Sequence, residues 1–183
     1  KKKYPDEMVV VSVVTATGHR MARRIIPEAD GHIFFPFDLP VITERIVNIV
    51  DPKAIILIET ELWPNFLRLA WRKKIPVMMM NGRISGRSMG KYALIKRFTT
   101  RMLFQIQRFC MQSAIDRERI ISMGAIPERV TITGNTKYDQ TYAEVSEEER
   151  AKLRREFRFE GKGPIIVAGS THGGEEEIVV RTF

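Results

Sequence analysis

The chain has 183 residues, 44% hydrophobic and 28% charged, and its 30 Lys+Arg against 22 Asp+Glu leave a formal net charge of +8. This is a globular composition, long enough to bury a core without disulfides or structural metals. A single cysteine, Cys110, excludes an intrachain disulfide framework and a multi-cysteine zinc site, and His19, His32 and His172 are too scattered for an HExxH-type centre.

Short apolar runs alternate with helical patterns along the chain. Strands are predicted over 8–14, 32–35, 54–58, 76–80, 108–111, 130–133 and 164–168, and continuous apolar runs of this kind suit strands buried on both faces. The intervening patterns predict helices over 19–28, 39–50, 64–74, 91–107, 115–123 and 146–157. Asp38 is placed to cap the second of these with Pro40 inside its first turn, and Ser146-Glu147-Glu148-Glu149 matches a capping box. Repeated βα units predict an α/β fold with a parallel, doubly wound sheet. The predicted division is 1–142, then an acidic connector over 143–162, then the opening of a second α/β domain over 163–183. None of the apolar runs approaches the roughly 18 residues of a spanning helix. Lys1 is not a methionine and Phe183 falls within a helical pattern, so the chain is read as a fragment.

The positive charge is regional. Between Phe66 and Ile115 there is no Asp or Glu, while Arg68, Arg72, Lys73, Lys74, Arg83, Arg87, Lys91, Lys96, Arg97, Arg101 and Arg108 contribute eleven cations. Such a stretch points to an anionic partner, with a solvated helical face as the plainer alternative. A basic nucleic-acid-binding α/β module stays open as an alternative, although the interleaved aromatics or groove-reading motif it would add are not found.

Ligands of open parallel sheets bind beyond the carboxyl ends of the strands, and the predicted ends are polar here. They are Thr15-Ala16-Thr17-Gly18, Glu59-Thr60-Glu61, Asn81-Gly82-Arg83-Ile84-Ser85, Gln112-Ser113, Gly134-Asn135-Thr136-Lys137 and Gly169-Ser170-Thr171-His172. Glu59 and Glu61 are alternate residues facing one way, suited to holding a basic partner or a hydroxyl; an ion pair plus a cap for the next helix is the alternative. Arg83, Ser85, Arg87 and Ser88 form a donor cluster for phosphate or carboxylate, or a solvated loop. Gly169-Ser170-Thr171 before a helix offers N–H groups and hydroxyls to an anion, with capping as the alternative.

The ordered set Thr15-Ala16-Thr17-Gly18, Phe35-Pro36-Phe37-Asp38-Leu39-Pro40, Glu59-Thr60-Glu61-Leu62-Trp63-Pro64-Asn65, Asn81-Gly82-Arg83-Ile84-Ser85, Gly134-Asn135-Thr136-Lys137-Tyr138-Asp139 and Ala168-Gly169-Ser170-Thr171-His172 closely resembles the 3-deoxy-D-manno-octulosonic acid (Kdo) transferases of lipopolysaccharide synthesis. The resemblance runs from about Val11 to Glu177. It implies a GT-B fold of two Rossmann-like domains and inverting, metal-independent transfer of Kdo from CMP-Kdo to a phosphorylated lipid A precursor, at the inner face of the bacterial cytoplasmic membrane. It implies no cofactor, no metal and no nucleic acid partner, an acceptor domain ending near residue 142 and a donor domain opening near residue 163. The acceptor side would be lined by Glu59 and Glu61, the candidate catalytic residues, with Thr15, Thr17, Gly18, Asn81, Arg83, Ser85, Arg87, Arg97 and Arg101. The donor side would use Asn135, Lys137, Gly169, Ser170, Thr171, His172, Glu175 and Glu176. Two departures stand out: Gly173-Gly174 replaces the family's usual Pro-Gly, and the Ser-Val-Gly-Glu segment carrying the presumed base does not occur in this sequence. The chain by itself is therefore expected to be inactive. Its stretch from Ser85 to Arg108 is expected to face the membrane, with Arg97, Arg101 and Arg108 on one helical face and Phe104 near them.

Overall fold

The computed structural model describes residues 4–86, 95–139, 145–159, 161 and 163–182. The chain divides into two compact units, Lys1–Asp139 and Gln140–Phe183.

The first unit alternates strand and helix: β1 (Val10–Val13), α1 (Ala16–Ile25), β2 (Gly31–Phe34), α2 (Pro40–Val50), β3 (Ile55–Ile58), α3 (Pro64–Arg72), β4 (Val77–Gly82), α4 (Lys96–Leu103), β5 (Arg108–Met111), α5 (Ala114–Ser122) and β6 (Val130–Ile132). Every strand pairing is parallel, as the alternation requires, because a parallel neighbour can be reached only by a crossover. The expected single sheet is instead two: β1 pairs with β2, and β3-β4-β5-β6 form a second sheet. Among the described residues β1, β2, β3 and β6 have one neighbour each, and no ladder joins the two sheets. Side chains join the two sheets across the break. Phe35, just beyond β2, packs on Trp63 and Phe66 at 5.1 Å between ring centroids, and Lys53 bonds Glu7 at 2.8 Å.

Strand order follows chain order in the second sheet, so successive right-handed crossovers carry α3, α4 and α5 to one face. Leu57, Val77, Met79, Phe109 and Met111 point to that face and are buried with Leu67, Leu103, Ile106 and Ile120. Ile56 and Ile58, on the opposite face of β3, are 56% and 58% exposed.

The helix ends depart from expectation where capping chemistry decides them. α1 starts three residues earlier than the apolar pattern indicated, because the Thr15 hydroxyl accepts from Gly18 N at 3.0 Å. Asp38 does not cap α2, whose N-cap is Leu39. It caps α3 instead, accepting from Asn65 N at 3.0 Å and Phe66 N at 2.8 Å. α4 ends at Leu103 rather than 107, so Arg108 lies in β5 and not on a helical face with Arg97 and Arg101. Residues 91–94, where that helix was expected to start, lie outside the described residues.

In the second unit, α6 (Glu147–Glu156) has the anticipated capping box between Ser146 and Glu149. The strand expected over 164–168 is not formed: a strand exists by pairing, and no described residue pairs with it. α7 (Glu175–Thr182) follows, with three glutamates in its first turn.

Candidate functional site

Parallel register brings the polar ends of β3 to β6 to one edge. Glu59 N donates to Met80 O at 2.8 Å, Gln112 N to Gly82 O at 2.9 Å and Thr133 N to Met111 O at 2.9 Å, so Glu59, Asn81, Gln112 and Asn135 meet at the carboxyl rim. Two of them are strained. Glu59 has φ 63 and Asn81 φ 55, left-handed conformations that cost a non-glycine residue about 1–3 kcal/mol and persist only where the surroundings enforce them. Gly82, next in line, allows close strand approach: a Cβ there would stand 2.7 Å from Met111 Sδ.

The enforcement at Asn81 is a chain of amides. Asn81 Oδ1 accepts from Thr136 N at 3.2 Å, and Asn81 O from Gln112 Nε2 at 3.0 Å. Gln112 Oε1 accepts from Asn135 Nδ2 at 3.1 Å, and Asn135 Oδ1 from Lys137 N at 2.9 Å. Asn81 is buried, and the oxygens of both asparagines are engaged within the protein. They shape the rim, leaving the Lys137 side chain exposed on a turn that they hold.

Beside this network, the Thr60 hydroxyl bonds both backbone groups of Arg83. Ile84 N donates to Asp116 Oδ1 at 2.8 Å, and Arg119 Nη1 donates to Ile84 O at 2.7 Å. Asp116 is 7% exposed and also accepts from the Ser113 hydroxyl that caps α5. Glu61 Oε2 accepts from Trp63 Nε1 at 2.9 Å, while the Glu59 carboxylate is exposed and takes no hydrogen bond among the described residues. Glu59 thus lies at the rim, with Glu61 next to the Thr60 that holds Arg83: exposed carboxylates able to accept from a hydroxyl and a guanidinium able to hold an anion.

Other expected site residues lie elsewhere. Thr15 and Gly18 serve the cap of α1 beyond β1, in the two-stranded sheet, and Thr17 is exposed in that helix's first turn. Arg97 and Arg101 are exposed one turn apart on α4, and no ion pair among the described residues involves either. Arg87 lies outside the described residues. Phe104, beyond the end of α4, is 45% exposed and sits between Trp71, 5.3 Å away, and the Arg129 guanidinium at 5.2 Å.

In the second unit, the turn from Gly169 to His172 is bonded to its own helix. Ser170 has φ 60, Thr171 Oγ1 donates to Glu176 Oε1 at 2.5 Å and His172 N to Glu175 Oε2 at 2.9 Å. The Thr171 hydroxyl and nearby backbone N–H groups hold the Glu176 carboxyl below the ordinary glutamate range. The hydroxyl and N–H expected to meet a phosphate are satisfied here by the carboxylates of α7.

Sequence reasoning assigned nothing to Thr60, Asp116 or Arg119. The Ser113-x-x-Asp116 spacing is a capping signal that was available, but its reach to Ile84 depends on how α5 packs. No helix among the described residues is long and apolar enough to cross a membrane.

Residues 1–140 match the family described as 3-deoxy-D-manno-octulosonic-acid transferase (kdotransferase). Among curated proteins, the chain is 38% identical over 177 residues to a bifunctional glycosyltransferase/methyltransferase of Fusobacterium nucleatum, covering 96% of this chain and 28% of that protein. It is 33% identical over 182 residues to the 3-deoxy-D-manno-octulosonic acid transferase of Haemophilus influenzae, covering 100% of this chain and 42% of the relative. The Chlamydophila psittaci transferase of the same name is 28% identical over 179 residues, with 97% and 41% covered. The chain therefore spans well under half the length of these relatives. Among solved structures, a Listeria monocytogenes protein described as a UDP-N-acetylglucosamine 2-epimerase superposes with a TM-score of 0.52 at 11% identity, covering 79% of this chain and 44% of that one, a likeness of fold alone. The parallel α/β architecture is shared with that protein, and the match over 1–140, more than half of the chain, assigns the chain to the Kdo transferase family.

Proposed function

We propose that the protein containing this chain transfers Kdo from CMP-Kdo to a phosphorylated lipid A precursor, and that residues 1–142 form the acceptor side of its cleft. The observation that carries this reading is the family match over 1–140, with exposed carboxylates and a guanidinium at and beside the carboxyl rim. In the reaction the bond from the Kdo anomeric carbon to the CMP phosphate breaks with its electron pair leaving on the phosphate. The acceptor hydroxyl oxygen forms the new bond from the opposite face, and its proton passes to a general base. The family resemblance puts that base in a Ser-Val-Gly-Glu segment that this sequence lacks. Glu59 and Glu61 are then placed to orient the acceptor hydroxyls, Arg83 and Ser85 to hold an acceptor phosphate, and the Gly169–His172 turn to meet the CMP phosphate after release of its internal carboxylate contacts.

The exposed Arg97 and Arg101, with Phe98 between them 51% exposed, give the same unit a basic, partly apolar face suited to the anionic membrane surface where a lipid acceptor resides. The test of the central reading is transfer of Kdo by the full-length protein with CMP-Kdo and a phosphorylated lipid A precursor. Glu61→Gln and Glu59→Gln are assayed beside it. Turnover at least tenfold lower in one of them, with an unchanged thermal midpoint, is expected. Undiminished transfer in both variants would leave Glu61 only its bond to Trp63.

A further inference from the structure

Arg83 and Ile84 follow the last residue of β4 and belong to no helix or strand, so no ladder satisfies their backbone groups. All four groups are nevertheless bonded, and every partner is a side chain from another part of the chain. Arg83 N donates to Thr60 Oγ1 at 3.1 Å, and the same hydroxyl donates to Arg83 O. Ile84 N and O meet Asp116 and Arg119 at 2.8 and 2.7 Å. These partners are 23, 32 and 35 residues away in sequence, whereas an ordinary turn closes on itself or on a neighbouring Asn, Asp or Ser. Beneath the segment the Ile84 side chain is 2% exposed. Above it, the Arg83 side chain is exposed and makes no hydrogen bond or ion pair among the described residues. Three consecutive peptide units, from Gly82–Arg83 to Ile84–Ser85, are thus each held by a side chain, while the Arg83 guanidinium is left to bind something else. Thr60 sits between Glu59 and Glu61, so one hydroxyl ties the Arg83 backbone to the segment that carries both carboxylates.

We propose that Thr60 is a positioning residue for acceptor recognition: its hydroxyl clasps both backbone groups of Arg83 and, with Asp116 and Arg119 gripping Ile84, aims the Arg83 guanidinium at a phosphate of the acceptor. The proposal rests on the functional reading above and adds to it a residue that touches no substrate. Thr60→Val keeps the shape and removes the hydroxyl, and Thr60→Ser restores it. Asp116→Asn is a second variant that loosens the grip from the α5 side.

The experiment uses the full-length protein and reads steady-state kinetics with CMP-Kdo and a phosphorylated lipid A precursor, amide hydrogen exchange at Arg83, and the thermal midpoint. In Thr60→Val the acceptor KM should rise about tenfold while the CMP-Kdo KM stays within about twofold, since removing binding common to ground and transition states raises KM. Exchange at the Arg83 amide should accelerate about tenfold, and Thr60→Ser should return both within about twofold of wild type. Asp116→Asn should move the acceptor KM in the same direction. Faster exchange with unchanged kinetics would make Thr60 a structural residue only and overturn the proposal, as would unchanged exchange in Thr60→Val. The two readings fail separately: an active wild type with a kinetically silent Thr60→Val rejects the positioning role alone. A wild type that transfers no Kdo rejects the functional reading, and the positioning role falls with it.

Discussion

At the scale of single residues, the recurrent finding is that side chains which read as ligand contacts are committed to the protein itself. Asn81 and Asn135 hold the rim together through their amide oxygens, and Thr15 caps a helix. Thr171 is the case where this can be measured by pH. Its hydroxyl bond is the largest influence lowering the Glu176 pKa, so Thr171→Val should move that pKa back up toward the ordinary glutamate value in a carbon-detected NMR titration. By linkage, a depressed folded-state pKa stabilises the bonded turn before α7 above the unfolded glutamate pKa. That contribution fades as pH falls through the lowered value, and the variant should lose the share of it that the hydroxyl supplies, keeping the share from the backbone N–H groups. An unmoved Glu176 titration in Thr171→Val would show that the carboxyl owes its state to the backbone N–H groups instead.

At the scale of elements, capping and side-chain locks decide where helices begin and what they serve. Asp38 satisfies the orphan N–H groups of Asn65 and Phe66 at the start of α3, and Asn65 Nδ2 returns a 2.7 Å bond to Asp38 O. The link therefore joins the segment after β2 to the helix after β3. Asp38→Ala should cost about 2 kcal/mol, the upper end for a lost cap, because it also unties these segments. Urea denaturation of the chain would read this as a lower midpoint at constant slope, and a change under 0.5 kcal/mol, roughly the scale of a neutral surface substitution, would contradict it. α4 depends on a different device: the buried Thr99 hydroxyl reaches Met123 O at 3.1 Å, fixing the helix to the end of α5. That anchorage orients Arg97 and Arg101 outward, while the chain turns away at Phe104 and carries Arg108 into β5.

At the scale of the molecule, the charge asymmetry becomes a surface. The cations on α3 and α4 lie exposed without ion pairs among the described residues, so their field is not cancelled locally. Attraction to an anionic bilayer is worth about 1 kcal/mol per basic residue near the surface, so reversing two charges should weaken association severalfold or more. Vesicles containing anionic phospholipid should co-sediment the chain at low salt and release it at high salt, and an Arg97→Glu, Arg101→Glu variant should bind clearly less. Equal binding of the two proteins would remove α4 from the membrane contact and leave its arginines as a solvated face.

Sequence alone determined the α/β class, the parallel direction of every pairing, the capping box of α6 and the family, because these rest on periodicity, local spacing and motif order. Met8 to Val14 and Ala54 to Ile58 read correctly as strands, but not as strands buried on both faces, since Ile56 and Ile58 are more than half exposed and β1 has no fully buried residue. What only the tertiary structure decided are the partners of residues far apart in the chain. The division into two sheets, the transfer of Asp38 from α2 to α3, and the absence of a strand over 164–168 all turn on which neighbour lies alongside, and no local pattern encodes that. The rim was legible as a collection of polar ends. Its division into residues that hold and residues left to bind was not, since Thr60 and Asp116 meet Arg83 and Ile84 only after β3, β4 and α5 have packed.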